Sequence, residues 1–224
     1  MTTWWQSKKP FQWVVGASAQ FVVLTLVAML FYPGGTVGEI NTSGYAFFRN
    51  FFSDLGMTVA HNGASNWFSA VLFFIALSGA GLGMVVLFLR LPRVLGYWWC
   101  WIGSLFGVIA GLSFVGVAFT PANLLLTAHA GFVYAAFLSF FVAALVYSVA
   151  ILRSAAYPNG YAAVFGLFTL LLASYIWLLF FGPRASTGNG LLIQVTGQKL
   201  IAYAGIIAVL IQAYGAQRVE FSEK

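Results

Sequence analysis

Asp54 is the residue of this chain with the clearest chemical potential, because it is the only acidic side chain between Glu39 and Glu220. It lies in the string Phe51-Phe52-Ser53-Asp54-Leu55-Gly56, shortly before a long apolar run. Ionisable side chains close to hydrocarbon are costly and usually face a protein interior or a wet cavity. Asp54 therefore needs a partner, and the partner decides whether this carboxylate does chemistry or only joins helices.

Two further ionisable side chains are predicted near Asp54. His129 follows Thr120-Pro121 by more than one helical turn, so at about 1.5 Å of rise per residue it lies several ångströms below the membrane surface. Lys199, beside Gln198, has a similar depth in the last apolar segment. Asp54, His129 and Lys199 are thus expected to share one shallow cavity. The remaining members of this candidate polar cluster are Arg49, Asn66, Arg184 and Gln198.

Two interpretations of Asp54 and His129 stay open. In the first, they form a structural contact between a helix that caps the bundle and the fourth apolar segment, with Arg49 or Lys199 balancing the charge. Removing one partner of such a pair is costly even where the pair adds little stability. In the second, Asp54 orients and charges His129, which acts as general base on a water or on Ser53. Hydrolysis of a lipid ester or amide is the reaction that suits this depth.

A third interpretation assigns Asp54, His61 and His129 to a zinc ion that keeps water in its open position. The spacing does not favour it, because no two histidines stand at helical separation. Aromatic residues make up 18% of the chain. Tryptophan and tyrosine commonly anchor membrane proteins at the two interfaces, so we interpret these residues as anchors rather than as a pigment-binding site. We therefore expect neither a metal nor another cofactor.

The elements that must position these residues are membrane-spanning helices. With 62% hydrophobic residues, 6% charged residues and a mean hydropathy of +0.94, the chain differs from soluble domains, in which roughly a quarter of residues are charged. The apolar runs are continuous, whereas a transmembrane barrel shows alternating segments of about ten residues. The sequence predicts an all-α, six-helix transmembrane bundle that forms one domain over residues 1–224. The predicted spans cover about 11–32, 66–89, 94–119, 124–152, 161–181 and 191–214.

The segment between the first two spans is expected to contain a short amphipathic helix at about 45–56. Phe48 and Phe52 belong to its apolar face, whereas Asn50 and Asp54 belong to its polar face. Such a helix lies in the membrane interface or caps the bundle.

Stripes of small residues predict close contacts between helices, since small side chains let backbones approach. If the stripe in the fourth span packs on the third span, His129 points away from that contact. The stripes consist of Gly103, Gly107 and Gly111 in the third span, and of Gly131, Ala135, Ser139 and Ala143 in the fourth.

Basic residues predict the orientation, because cytoplasmic loops carry an excess of lysine and arginine. Three of them, Arg49, Arg184 and Lys199, lie on the side opposite the chain termini. Both termini are therefore expected in the cytoplasm. The net charge of +6 includes no clustered basic face, so nucleic acid is not an expected partner. The basic residues on the side of the termini are Lys8, Lys9, Arg90, Arg93, Arg153, Arg218 and Lys224.

An ordered set of short motifs resembles a known family. The set comprises SDLG at Ser53–Gly56, Asn66 at the start of the second span, Phe119-Thr120-Pro121 after a Gly-rich third span, and His129 in the fourth. It is similar to the six-helix membrane family of the damage-regulated autophagy modulators and their fungal relatives, and closest to its bacterial and archaeal domain-of-unknown-function branch. The chain departs from some relatives at Met57–His61, where they carry proline and acidic residues.

The resemblance implies six helices with cytoplasmic termini, and no catalytic mechanism comes with it. It adds a little weight to a lipid-related role, because some eukaryotic relatives act in lipid remodelling or membrane trafficking. Matching positions give a shared polar set of Ser53, Asp54, Gly56, Asn66 and His129.

The sequence thus predicts an integral membrane protein with a non-enzymatic role. It would bind a lipid or another hydrophobic ligand, or serve as a subunit of a larger membrane complex. The alternative is an intramembrane lipid hydrolase that uses Asp54 and His129 at the outer face. The expected partners are membrane lipids and membrane-protein subunits.

Overall fold

The structure, a computed structural model, describes residues 4–186 and 189–221. Within these ranges six α-helices are long and apolar enough to cross a membrane, and no β-strand forms. The predicted all-α six-helix bundle is confirmed, and the chain is an integral multi-pass membrane protein. Lys224, counted above, lies outside the described residues. The helices are α1 (Lys9–Phe31), α2 (Trp67–Leu95), α3 (Cys100–Phe119), α4 (Leu126–Leu152), α5 (Asn159–Phe181) and α6 (Gly190–Phe221), with 3-10 helices at Trp4–Gln6 and Phe52–Gly56.

The helices run up and down, and each packs against its neighbour in the chain. The ring is closed because α6 also contacts α1 and α2. We call the end at which α1 begins and α6 ends the proximal end, and the opposite end the distal end. The long connection from α1 to α2 and the short connections after α3 and α5 lie at the distal end.

The proximal end contains a partly buried ion pair, and two predicted boundaries differ from the structure there. The Arg90 guanidinium donates to the Glu220 carboxylate and lies over the ring of Phe11, 5.6 Å from its centroid. Arg90 is therefore inside the helical bundle rather than in a loop. Accordingly α2 continues past the predicted end near residue 89, and α6 continues past the predicted end near residue 214.

The segment predicted as an amphipathic helix over 45–56 is helical only at Phe52–Gly56. Its burial also departs from the prediction, because Asn50 is 0% exposed and Asp54 4% exposed, whereas Phe48 is 56% exposed. Phe52, of the predicted apolar face, is buried together with the two polar residues. The reason is hydrogen bonding. The Asn50 side chain donates to the Gly35 carbonyl and accepts from the Ala46 amide, so its place is inside the loop. Polar periodicity here marks an internal network rather than a solvated face.

The predicted small-residue stripes separate into two groups. Gly111 of α3 crosses Gly81 of α2 so closely that a Cβ on either residue would lie 2.5 Å from the other's carbonyl oxygen. Gly107 also faces α2, through the Phe88 ring, whereas Gly103 packs on Val146 of α4. A Cβ at Gly131 would meet open space among the described residues. The close glycine contact is therefore between α2 and α3.

Candidate functional site

The distal connection, residues 32–66, covers the end of the bundle, and two glycines allow the turn near its beginning. Gly34 and Gly35 have positive φ angles of 134° and 82°, which favour glycine. A Cβ on Gly35 would overlap the backbone of the turn at His61 and Asn62. The Gly35 carbonyl accepts a hydrogen bond from Asn50 Nδ2 at 2.8 Å. Three separate stretches of this connection are thereby held together.

Asp54 is the centre of the resulting network. Its Oδ2 accepts hydrogen bonds from Asn50 Nδ2 at 3.0 Å and from the Phe51 amide at 2.9 Å. Its Oδ1 lies 3.4 Å from His61 Nε2, at ion-pair distance. The carboxylate therefore caps the first turn of the 3-10 helix with one oxygen and faces a histidine with the other.

His61 is the ionisable partner of Asp54. Its contact with the Asp54 carboxylate raises the pKa of the imidazole above its ordinary value, against burial, which lowers it. Tyr32 holds the same turn, because its hydroxyl accepts from the His61 amide at 3.4 Å. Burial, together with the negative charge of Asp54, raises the pKa of the Tyr32 phenol to about 12. Tyr32 therefore stays protonated, and His61 is predisposed to carry a positive charge.

Asn66 fixes the other end of the short helix. Its Nδ2 donates to the carbonyls of Asp54, Leu55 and Met57 at 3.3, 3.1 and 2.8 Å. Ser69, one turn into α2, donates to the Leu55 carbonyl as well. The beginning of α2 thus sets the position of the Asp54 backbone.

Two residues of α6, which is remote in sequence from this connection, complete the network. Gln198 Oε1 accepts from the Phe52 amide at 2.7 Å. Lys199 is buried, and its ammonium group donates to the Asn50 carbonyl. The same ammonium lies 5.1–5.7 Å from the ring centroids of Tyr45, Phe47 and Phe52, a geometry of cation–π attraction.

His129 is buried near the beginning of α4, and its Nδ1 lies 2.6 Å from the Thr120 carbonyl oxygen. A carbonyl can only accept, so Nδ1 carries the proton and the neutral ring keeps an acceptor lone pair on Nε2. His129 and Asp54 both belong to the described part of the chain, and no hydrogen bond joins them. The group that orients His129 is therefore the end of α3 and not Asp54.

A cavity of about 540 Å³ lies between this network and helices α4, α5 and α6. We call it the distal cavity. One part of its wall is polar and contains Ser53, Asp54, His61, His129 and Gln198. The rest is mainly apolar, and includes Met57, Leu126, Ala130, Val133, Tyr134, Tyr175 and Leu179.

The predicted site residues divide into three sets. Ser53, Asp54, His129 and Gln198 meet at the distal cavity, and the same wall includes His61, which sequence reasoning had placed only in the zinc interpretation. Asn66 and Lys199 are not among the residues that line the distal cavity, and they donate hydrogen bonds to backbone carbonyls on either side of Asp54 in the sequence. Arg49 pairs with Glu39 at 3.7 Å, and both side chains are more than half exposed. Arg184 is exposed in the connection before α6.

Sequence reasoning did not predict that Asn50 and His61 contact Asp54 directly, although the zinc interpretation placed His61 at the same site. The sequence carried a signal only for the bond from the Phe51 amide, because an acidic residue at the third position of a helix often accepts from the residue that precedes the helix. The contact with His61 carried no comparable signal, since it depends on how the Gly34-Gly35 turn folds. Among the described residues, no group of three histidine, cysteine, aspartate or glutamate side chains is arranged to hold a metal ion.

No protein-family model, curated protein or solved structure matches this chain. The resemblance to the damage-regulated autophagy modulators therefore stays a prediction.

Proposed function

We propose that this membrane protein binds one amphiphilic lipid in the distal cavity. The observation that carries the proposal is a cavity of about 540 Å³ with a mainly apolar wall and a group of polar side chains that includes Asp54. Its volume falls in the range of about 300–1,000 Å³ that is usual for small-molecule sites. Such sites combine apolar walls with a few polar groups that orient the ligand.

The charges on the wall favour a neutral headgroup. A protonated His61 at 3.4 Å balances the negative charge of Asp54, and the pair in that form leaves little net charge to attract an ion. Ser53, His129 and Gln198 add hydrogen-bonding groups without a fixed charge. Hydroxyl or amide groups on a lipid can both donate to and accept from such a surface. A glycerol-type headgroup on an acyl chain is the ligand class that fits.

The test is native mass spectrometry of the purified protein with monooleoylglycerol, compared with the anionic oleoyl lysophosphatidylglycerol. We expect retention of one monooleoylglycerol and weaker retention of the anionic lipid. Ala130→Phe fills the cavity and should abolish retention, whereas Ala128→Phe, on the exposed side of the same turn, should not. Equal retention by both variants, or no retention by the unmodified protein, would exclude this site. A stoichiometric protein partner instead of lipid would favour the role of a complex subunit.

We propose lipid ester hydrolysis as a second function, because two histidines with different hydrogen-bonding roles line the same cavity. Nε2 of His129 takes a proton from a water whose oxygen attacks the ester carbonyl carbon. When the bond from the acyl carbon to the alkoxy oxygen breaks, His61 donates its proton to the leaving alkoxide, and Asp54 stabilises the charged form of His61. The products are a fatty acid and an alcohol. The proton left on His129 returns to solvent, and His61 is reprotonated.

The hydrolase hypothesis is tested with purified protein and monooleoylglycerol, by measuring released oleate. His129→Gln retains a side-chain donor for the Thr120 carbonyl but removes the base, so we expect turnover to fall about 100-fold or more while the thermal midpoint changes little. The exposed variant Glu39→Gln serves as the control. Undetectable oleate release by the unmodified protein, or full activity of His129→Gln, refutes hydrolysis and leaves lipid binding intact.

A further inference from the structure

We propose that the acyl chain of the bound lipid runs from the distal cavity along the axis of the bundle, which makes this a site for a single long chain. This inference rests on the proposed lipid binding. It assigns a path inside the protein to the apolar part of the ligand. The geometry that supports it is a series of three cavities with shared wall residues.

The first step of the path is a small cavity of about 60 Å³, which we call the middle cavity. Four of its lining residues, Ser53, His129, Val133 and Gln198, also line the distal cavity. Two polar atoms at this passage are already engaged, since His129 Nδ1 bonds to Thr120 and Gln198 Oε1 to Phe52. His129 Nε2 keeps its acceptor lone pair for the headgroup, so only the hydrocarbon chain continues past it into the middle cavity.

The second step is a deep cavity of about 70 Å³ near the centre of the bundle. It shares Phe21, Leu77, Phe114, Phe137 and Ala202 with the middle cavity. All six helices contribute to its wall, and Ser18 is its one hydroxyl-bearing lining residue among the residues described. The wall of the path beyond His129 and Gln198 is therefore apolar apart from Ser18.

The size and polarity of the path specify what can occupy it. Protein interiors are close-packed, so consecutive cavities that share their walls are a distinct feature of this bundle. An apolar cavity of this kind does not hold water well, because water needs two to four polar partners. The middle and deep cavities are each much smaller than the distal cavity, so they exclude a headgroup or a second chain. One unbranched acyl chain is long enough to follow connected cavities, is apolar, and is narrow enough for the two small ones.

The experiment compares the affinities of monodecanoylglycerol and monooleoylglycerol for the protein in detergent, by isothermal titration calorimetry. The unmodified protein should bind the oleoyl lipid more tightly. Ala202→Phe blocks the passage between the middle and deep cavities. Exclusion of about two methylene groups corresponds to a loss of about tenfold. We therefore expect at least this loss for the oleoyl lipid and little change for the decanoyl lipid.

Two further variants make the result decisive. Ile207→Phe adds an aromatic ring to the exposed face of α6 and should leave both affinities unchanged. Gly205→Val narrows only the deep cavity, and it replaces Ala202→Phe if that variant does not fold. Undiminished oleoyl binding in both cavity variants overturns the chain path while lipid binding stands. Failure of the unmodified protein to bind either lipid overturns the proposed function itself.

Discussion

At the scale of single residues, the distal network depends on which side-chain atoms donate and which accept. Asn66 acts purely as a donor to three backbone carbonyls, whereas Asn62 acts as an acceptor, through Oδ1, for the Ala64 amide. Two asparagines in one connection therefore have opposite roles. An aspartate can take over the second role but not the first, because a carboxylate only accepts.

We expect Asn66→Asp to destabilise the protein by about 3 kcal/mol or more, since it places a carboxylate against three buried carbonyls that lose their donor. Asn62→Asp is the matched control and should cost less than about 0.5 kcal/mol, because the new oxygen still accepts from Ala64. Thermal unfolding in detergent measures both. Equal stability of the two variants would show that the carbonyl contacts of Asn66 contribute little.

The ion pair of Asp54 and His61 predicts a pH dependence of stability. The pKa of His61 is raised in the folded protein by its contact with Asp54, so folding favours the protonated imidazole. The resulting stabilisation is fully present below the unfolded pKa of about 6.5 and is lost as the pH rises through the higher folded pKa. We therefore expect the thermal midpoint to fall as the pH is raised from about 6 to about 8.5.

His61→Gln should remove this slope, because glutamine does not titrate. The midpoint of His61→Gln is expected to lie below that of the unmodified protein at low pH and to approach it at high pH. A slope that persists in His61→Gln would assign the pH dependence to another group.

At the scale of elements, the contact between α2 and α3 depends on two facing glycines. Gly81 and Gly111 let the two backbones approach so closely that a methyl group on either would meet a carbonyl oxygen at 2.5 Å. Backbone atoms cannot move aside as side chains do. The crossing of these helices is therefore fixed by the absence of two Cβ atoms.

Gly111→Ala should destabilise the bundle by about 1–3 kcal/mol through overpacking. Gly131→Ala is the matched control, because its Cβ would meet open space among the described residues and alanine favours helix over glycine by about 0.5–1 kcal/mol. The two substitutions are chemically identical and should have opposite signs in a thermal unfolding assay. A stable Gly111→Ala variant would mean that the helices separate at little cost.

At the scale of the whole molecule, the distribution of basic residues predicts that the proximal end faces the cytoplasm. The two ends are distinguished by single cysteines in a Cys100→Ala background, since Cys100 is the only native cysteine and is buried. Asn41→Cys lies at the distal end and Ala155→Cys at the proximal end, and both positions are exposed. A membrane-impermeant maleimide should label Asn41→Cys in intact cells and Ala155→Cys only after permeabilisation. The reverse pattern would invert the orientation.

The sequence predicted the helices well and the connection at residues 32–66 poorly, for a physical reason. A membrane span is recognised from the hydropathy of its own segment, without knowledge of the rest of the fold. The connection is instead built from side-chain bonds to the backbone of distant residues. Asn50, for example, reaches back to Gly35, and a local pattern assigns it to a polar surface although it is buried. The sequence singled out Asp54 and His129, which both line the distal cavity, yet the hydrogen-bonding and ion-pair contacts that they make with Thr120 and His61 follow only from the fold.

The two bonds from α6 to the distal network impose an order on biosynthesis. Gln198 and Lys199 bond to Phe52 and Asn50, which precede them by 146 and 149 residues. In a nascent chain with five inserted helices, the Phe52 amide and the Asn50 carbonyl therefore lack these two hydrogen bonds. At the same stage α1 lacks its contact with α6. Insertion of the last helix is thus the step at which biogenesis completes both the ring of helices and the site that the first loop began.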